Sequence, residues 1–445
     1  MHLTNDKHPM YLHWLPAWQD CRNAFDGQRA IKAAGVRYLP ALSGQTNDEY
    51  LAYKNRALFF SITSKTVSAL VGMALQRPPI LTAPPEMNSY GIDRNGAQLT
   101  ELTSSSLSEV LLTGRYGLMV DMPQSGGKPY LARYTAENIV DWVVDREGHP
   151  SKIVLQESVI EDYKTVLQYR CLYLEGGVYY VAIYNEKMEM IGTPVAPKIA
   201  DQPMDFIPFV LMNPVGIDWD ILKPPMLDIV DINLSHYRTS ADLEHGRHFT
   251  GLPTPVVSGV DGSTVLKIGS QTAWVLPPSD AKAYYLEFTG TGLKSLEAAL
   301  QEKQSQLASL SARLMDNSHK GSEAADAVRL RFMSETASLL MVVLSVEDGL
   351  SRAHQIIATV LGEDPKEVSV KVNREFLSSK LSAAEVVALT KVYLEGGMSV
   401  ETYVYNLRRG DMLPHNMTDE DVLKQLPKRV DPTKPDPKSD PQPKE

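Results

Sequence analysis

The sequence is nearly without cysteine: Cys21 and Cys171 are the only two in 445 residues. With no CxxC pair and no Cys/His spacing of a zinc site, this scarcity excludes a disulfide-stapled framework and a structural zinc module, and it fits a reducing compartment. Long apolar runs are missing too. Leu339-Leu-Met-Val-Val-Leu344 is far short of the ~20 residues of a membrane-spanning helix. The N-terminal MHLTNDKHPMYLHWLP is broken by Asp6, Pro9 and Pro16 before an apolar stretch of signal-peptide length develops. A soluble chain made inside the cell, with no membrane partner, is expected. Basic charge is also scarce: 44 Lys and Arg against 54 Asp and Glu leave a net charge of −10. That balance argues against wrapping nucleic acid by neutralising many phosphates. It leaves room for a protein past which DNA slides, because tight, counterion-releasing contacts would hinder sliding.

What is present is ordinary globular composition, 43% hydrophobic and 22% charged, over a length that suits two or three domains. Helices are predicted over Ala17–Ala34 and Asn55–Gln76, the second stopped by Arg77-Pro-Pro-Ile80, and over Leu99–Leu112, stopped by Gly114. From Tyr116 to about Pro214 the pattern changes to short runs rich in β-branched and aromatic residues, among them Gly117–Asp121, Lys152–Gln156, Tyr169–Tyr173 and Val178–Tyr184. Asp, Gly and Pro clusters separate them, so they read as an antiparallel meander, and the first half is α+β.

A helix over Met226–Phe249 follows, closed by Gly251-Leu-Pro253, then strand-like runs between Pro255 and Phe288. Next, Leu293, Leu296, Leu300, Lys303, Leu307, Leu310 and Leu314 repeat at a 3-4 spacing, one apolar stripe interrupted by a lysine. Glu323–Leu361 is helix-compatible without a proline, and Leu339–Val346 is apolar on every face except Ser345, which predicts burial all round. A strand at Val368–Val372 precedes short helices: one with a capping-box pattern at Ser382–Glu385 that ends at Gly396-Gly397, one from near Ser399, and one near Thr418–Leu426. The tail from Lys428 has no apolar residue after Val430 and reads as a disordered appendix.

Four groupings bear on chemistry. Gly290-Thr-Gly-Leu-Lys-Ser295 resembles the end of a phosphate-binding loop, but Leu293 separates glycine from lysine where that motif needs them in succession. Asp242, His245 and His248 sit at i, i+3 and i+6 on a predicted helix, the basis of an alternative reading as a soluble metal-dependent hydrolase. His319 and Lys320, in Asn317-Ser-His-Lys-Gly-Ser-Glu-Ala-Ala-Asp326, lack the partners of a nucleophilic triad, and Ser322 reads as the cap of the next helix. Lys303 in its leucine seam calls for a partner, from Glu302 or a neighbouring subunit, or a wet channel at its level, with simple snorkelling on a monomer as the alternative.

Several stretches, taken in order over about residues 10 to 400, resemble the portal proteins of the tailed-phage head vertex, in the subgroup formerly catalogued as a domain of unknown function. They are Gly35–Pro40, Tyr50–Ala57, Gly114–Asp121 with Pro123, Pro129-Tyr130, Ile207-Pro-Phe209, Asn233–Arg238, Ser240–His245, Leu252–Pro255 and Tyr285–Gly290. The resemblance implies a portal-type α+β fold: an α/β wing, a two-helix stem, a small β-rich clip, a long kinked wing helix and an α-helical crown. The expected boundaries are wing 1–223, first stem helix 224–251, clip 252–289, second stem helix 290–315, tunnel loop 316–323, long helix and returning strand 324–379, crown 380–427 and tail 428–445. It further implies a non-enzymatic dodecameric ring at the capsid portal vertex, assembled in the host cytoplasm, with no cofactor and no metal. Double-stranded DNA would pass through it, and the large terminase, a head-tail adaptor, and the major capsid and scaffolding proteins would be its partners. Asn317, Ser318, His319 and Lys320 would border the channel, and Lys303 and Arg313 would face the channel or the next subunit.

Overall fold

The computed structural model describes residues 6–85, 87, 96–122, 127–251, 254–259, 282–286, 291–315, 337–374, 376, 383–410, 412–413 and 419–426. By internal contacts the chain divides into Met1–Arg374 and Glu375–Glu445. It mixes helix and sheet, as an α+β chain does.

Helix α1 spans Pro9–Asp26, which corrects the expected start at Ala17. Pro9 stands in the first turn, where a missing N–H is harmless, and the His8 ring accepts the Met10 amide at 3.2 Å. Pro16 lies inside the helix. The break falls instead at Gly27, whose φ of +87° suits glycine and where a Cβ would sit 3.0 Å from the Ser61 hydroxyl. A short α2, Gln28–Ala33, follows. Tyr11, Trp18, Cys21 and Ala24 bury one face of α1, and Arg22 ties it down, donating to both Glu109 oxygens at 2.7 and 2.8 Å and to Glu137 at 2.9 Å.

The single helix expected over Asn55–Gln76 is two. Helix α3, Asn47–Arg56, opens on a Thr46/Glu49 capping box, and α4 spans Ile62–Ala74. Between them the backbone is extended, which buries Phe59 against Tyr237 while Leu58 and Phe60 stay exposed. Helix α5, Leu99–Thr113, ends at Gly114 as the sequence indicates.

The β region forms two principal sheets. β4 (Ile139–Val144), β5 (Pro150–Glu161), β6 (Lys164–Glu175), β7 (Val178–Asn185) and β8 (Met190–Val195) make the expected antiparallel meander in chain order. β2 (Tyr116–Asp121) lies between β3 (Tyr130–Thr135) and β11 (Phe209–Met212), also antiparallel. Between β8 and β11, β9 (Lys198–Ile199) and β10 (Gln202–Pro203) form a two-residue pair. A polar knot joins the two sheets: Tyr134 Oη donates to Glu157 at 2.6 Å, and Arg170 reaches Glu157 at 2.8 Å and Asp121 at 3.3 Å. Burial works against the Glu157 charge, but Arg170, Tyr134 and Gln168 outweigh it and hold its pKa below the usual carboxylate range.

Helix α6 (Leu227–Gly251) leads to strand β12 (Thr254–Ser258), which pairs antiparallel with β13 (Lys282–Leu286), and α7 (Thr291–Met315) follows. The described part of the expected long helix is α8, Ala337–Leu361. It packs on α5, β2 and β11. Buried Ser345 donates to the Asn213 carbonyl at 2.6 Å. Met341, however, is 44% exposed, so the run Leu339–Val346 is not buried all round. After α8, β14 (Ser369–Lys371) pairs with β1 (Ile80–Thr82).

The second unit holds α9 (Ala383–Leu394), α10 (Val400–Arg409) and α11 (Asp419–Gln425). Tyr393 stacks on Tyr403 at 4.4 Å beside buried Leu407, and Ser399 caps α10 as expected. Ser382 and the tail from Lys428 lie outside the described residues.

Candidate functional site: the α6 and α7 helix pair

Two 25-residue helices, each about 37 Å long at 1.5 Å per residue, pack side by side. α7 makes this contact through the predicted stripe: Leu293, Leu296, Leu300, Lys303 and Leu310 are partly buried and Leu307 fully, while the opposite face from Lys294 to Ala308 is exposed and mostly polar. α6 has no comparable stripe. Its buried residues include Asn233, His236, Thr239 and Ser240 among Ile229, Val230, Leu234 and Tyr237.

That polar content answers Lys303. Its ammonium donates to the Thr239 hydroxyl and, at 3.3 Å, to the Ser235 carbonyl, both on α6 and neither on Glu302. One residue on, the Gln304 amide lies 3.3 Å from His236 Nε2. Burial, then the Lys303 charge, lowers the His236 pKa, so the ring stays neutral and accepts. Nearer the β12–β13 end, Arg247 bridges the helices, donating to Glu244 at 3.0 Å and Glu297 at 2.9 Å. Gly246 permits the approach there: a Cβ would meet the Leu293 side chain at 2.5 Å. Asn233 Nδ2 and Oδ1 and Tyr237 Oη are buried without a hydrogen-bond partner among the described residues.

The structure does not assemble Asp242, His245 and His248 as a metal set. Asp242 accepts the Tyr53 hydroxyl at 2.5 Å, and His248 Nε2 faces Arg56 at 3.0 Å. His245 is packed edge-on to Tyr53 and Phe249. Burial, then Arg56 and His248, lowers its pKa, and a guanidinium beside the imidazoles repels a cation. The group with ligand spacing among the described residues is Asp145, Glu147 and His149, exposed in the β4–β5 turn. There the Asp145 carboxylate accepts the Glu147 and His149 amides, an ordinary turn role. Both thiols are buried, and burial pushes Cys21 up to about 12 and Cys171 to about 11, far from a nucleophile's range.

Asn317, Ser318, His319, Lys320 and Ser322 lie outside the described residues, and Arg313 falls in the last turn of α7 with its side chain likewise outside. Among the described residues, no helix is long and apolar enough to cross a membrane.

Residues 225–360, from the start of α6 to the end of α8, match the family model described as Domain of unknown function (DUF4055). This is less than half of the chain. No curated protein matches. Solved structures similar to this chain include the neck of a native GTA particle computed with C12 symmetry, at 14% identity and TM-score 0.38 over 78% of this chain and 89% of that one. The neck of an empty GTA particle computed with C6 symmetry has the same identity and TM-score over 87% and 95%. The virion of a native gene transfer agent particle has them over 89% and 99%. At that identity and TM-score these likenesses carry no functional conclusion.

Proposed function

We propose that the chain is a portal-type subunit: a non-enzymatic protein that forms a dodecameric ring at a phage-like capsid vertex, through which double-stranded DNA is packaged and ejected. The observation that carries this is α7, whose leucine stripe lies on α6 and whose outer face is exposed and mostly polar, joined to α6 through the β12–β13 ribbon. A helix that turns a mostly polar face outward suits repetition around an axis, with heterologous contacts closing the ring. The portal resemblance of the sequence supports the same reading, and the acidic balance suits a surface past which a polyanion moves without being held.

In this role the large terminase supplies the motor, and a head-tail adaptor, capsid and scaffolding proteins dock around the ring. Asn317, Ser318, His319 and Lys320 border its narrowest level as transient phosphate contacts, and Arg313 faces the channel or the next subunit. Lys303 is shared between its α6 acceptors and the ring interior. Native mass measurement tests the reading. A ring of twelve 49.4 kDa copies has a mass of 12 × 49.4, about 593 kDa. A monodisperse monomer at every salt and protein concentration would overturn it.

A further inference from the structure

Helix α3 is ten residues long, a length that is marginal for an isolated helix in water. Tyr53 is its one fully buried residue. Two of its side chains fasten it to α6 near the end that leads to β12. The Tyr53 hydroxyl donates to Asp242 at 2.5 Å, and its ring lies edge-on to His245 with centroids 5.1 Å apart. One turn further along α3, Arg56 Nη2 stands 3.0 Å from His248 Nε2.

Both histidines hold this contact only while uncharged. A guanidinium has donors and no acceptor, so His248 Nε2 accepts from Arg56, and a protonated ring has no lone pair to offer. His245 Nδ1 is buried without a hydrogen-bond partner among the described residues. A charged His245 ring would leave an N–H there desolvated and unpaired. The charges that act on His245 are Arg56 and Glu49 from α3, and His248 and Asp242 from α6 itself. Glu49 is already engaged by the Thr46 amide and Asp242 by Tyr53. The other neighbours of α6 carry their charges elsewhere. Glu297 of α7 is paired with Arg247, Lys65 of α4 lies over Phe60 beside His236, and Asp20 of α1 acts on Asp231.

We propose that this contact is a pH-set latch: α3 stays fastened to α6 while His245 and His248 are neutral, and is released when both take up a proton. Two imidazolium groups and Arg56 then outnumber the two carboxylates, the Arg56–His248 bond is lost, and Tyr53 alone is left to hold the helix. Burial, then Arg56 and His248, sets the His245 pKa below its ordinary value. The open form therefore binds more protons than the closed one, so the latch is fully closed above about pH 6.5 and loosens as pH falls below that. Because the released end of α6 leads to the β12–β13 ribbon, the latch sets how firmly that ribbon is rooted.

Hydrogen–deuterium exchange of the full chain tests this, each rate divided by the intrinsic rate at the same pH. Protection within residues 47–56 should fall at least tenfold between pH 7.5 and pH 5.5, on either side of the imidazole range. Helix α5 should keep its protection over the same interval. The double variant His245→Phe, His248→Gln keeps a ring against Tyr53 and an acceptor for Arg56 but cannot titrate. It should hold its α3 protection at pH 5.5 within about twofold of the value at pH 7.5. Unchanged α3 protection in the parent overturns the latch, as does an equal loss in α3 and α5, which marks global unfolding. An equal loss in the double variant also overturns it and assigns the opening to the carboxylates. The parent profile decides the question even where the double variant fails to fold.

Discussion

Lys303 and Arg115 are two cations taken out of water with opposite provision. Lys303 finds a hydroxyl and a carbonyl on α6. Arg115 is 1% exposed, and Nε, Nη1 and Nη2 have no hydrogen-bond partner among the described residues. Its guanidinium lies 3.8 Å from the Trp142 ring centroid, a cation–π contact that offsets only part of the desolvation. Burial accordingly lowers its pKa to about 9. The unfolded chain keeps this arginine protonated to far higher pH, so the penalty on the fold is complete below pH 9 and fades as pH rises above it. Arg115→Met keeps the stem over Trp142 and removes the buried charge. It should raise the unfolding free energy at pH 7 by about 1–3 kcal/mol, read from the urea midpoint at unchanged m-value. A loss of stability would show that the fold compensates the buried charge. Nothing in the sequence marks this burial: an arginine between Gly114 and Tyr116 reads as a solvent group at a strand edge, and only the approach of β4 puts an indole over it.

At the scale of elements, legibility depended on whether local pattern or tertiary packing decided the outcome. The leucine repeat of α7 was readable because one apolar face meets one neighbour. α6 was readable as a helix, but its buried Asn233, His236, Thr239 and Ser240 follow no apolar period, so the partner of Lys303 was not. At the N-terminus the proline departs from the role its propensity assigns and the glycine keeps it. Tyr11 and Trp18 bury on either side of Pro16 and hold the helix through it, whereas Gly27 ends it. The junction of α8 with β14 shows packing deciding against propensity again. Glu347, with 2% of its side chain exposed, accepts the Val372 amide at 2.9 Å and Lys371 at 3.0 Å and pairs with Arg374. Burial pushes its pKa up, yet Arg374, the Val372 amide and Lys371 together prevail and lower it. A carboxylate with a depressed folded pKa contributes stability above its unfolded value, near 4.3 for glutamate, and loses it as pH falls through the folded value. Glu347→Gln should therefore cost about 2 kcal/mol at pH 7 and progressively less below about pH 4, followed as melting temperature against pH. An equal deficit at pH 3 and pH 7 would assign the loss to packing and not to charge.

For the whole molecule, the excess of acid over base separates passage of DNA from its capture. A chain with 54 Asp and Glu against 44 Lys and Arg releases few counterions when a duplex approaches, so the electrostatic term that dominates non-specific binding is small. The α+β mix and the two long helices followed from composition and period. A conduit should show weak contact in the free state and dependence on its channel residues during transport. Purified protein at physiological salt should bind duplex DNA no more tightly than about 10⁻⁴ M, the weak end of non-specific binding, measured by fluorescence anisotropy. Replacing Ser318, His319 and Lys320 with glycine and serine should leave the oligomer intact and reduce the DNA packaged and retained per particle. Micromolar binding by the free protein would instead mark a DNA-holding protein, and unchanged packaging by the loop variant would reduce that loop to a spacer.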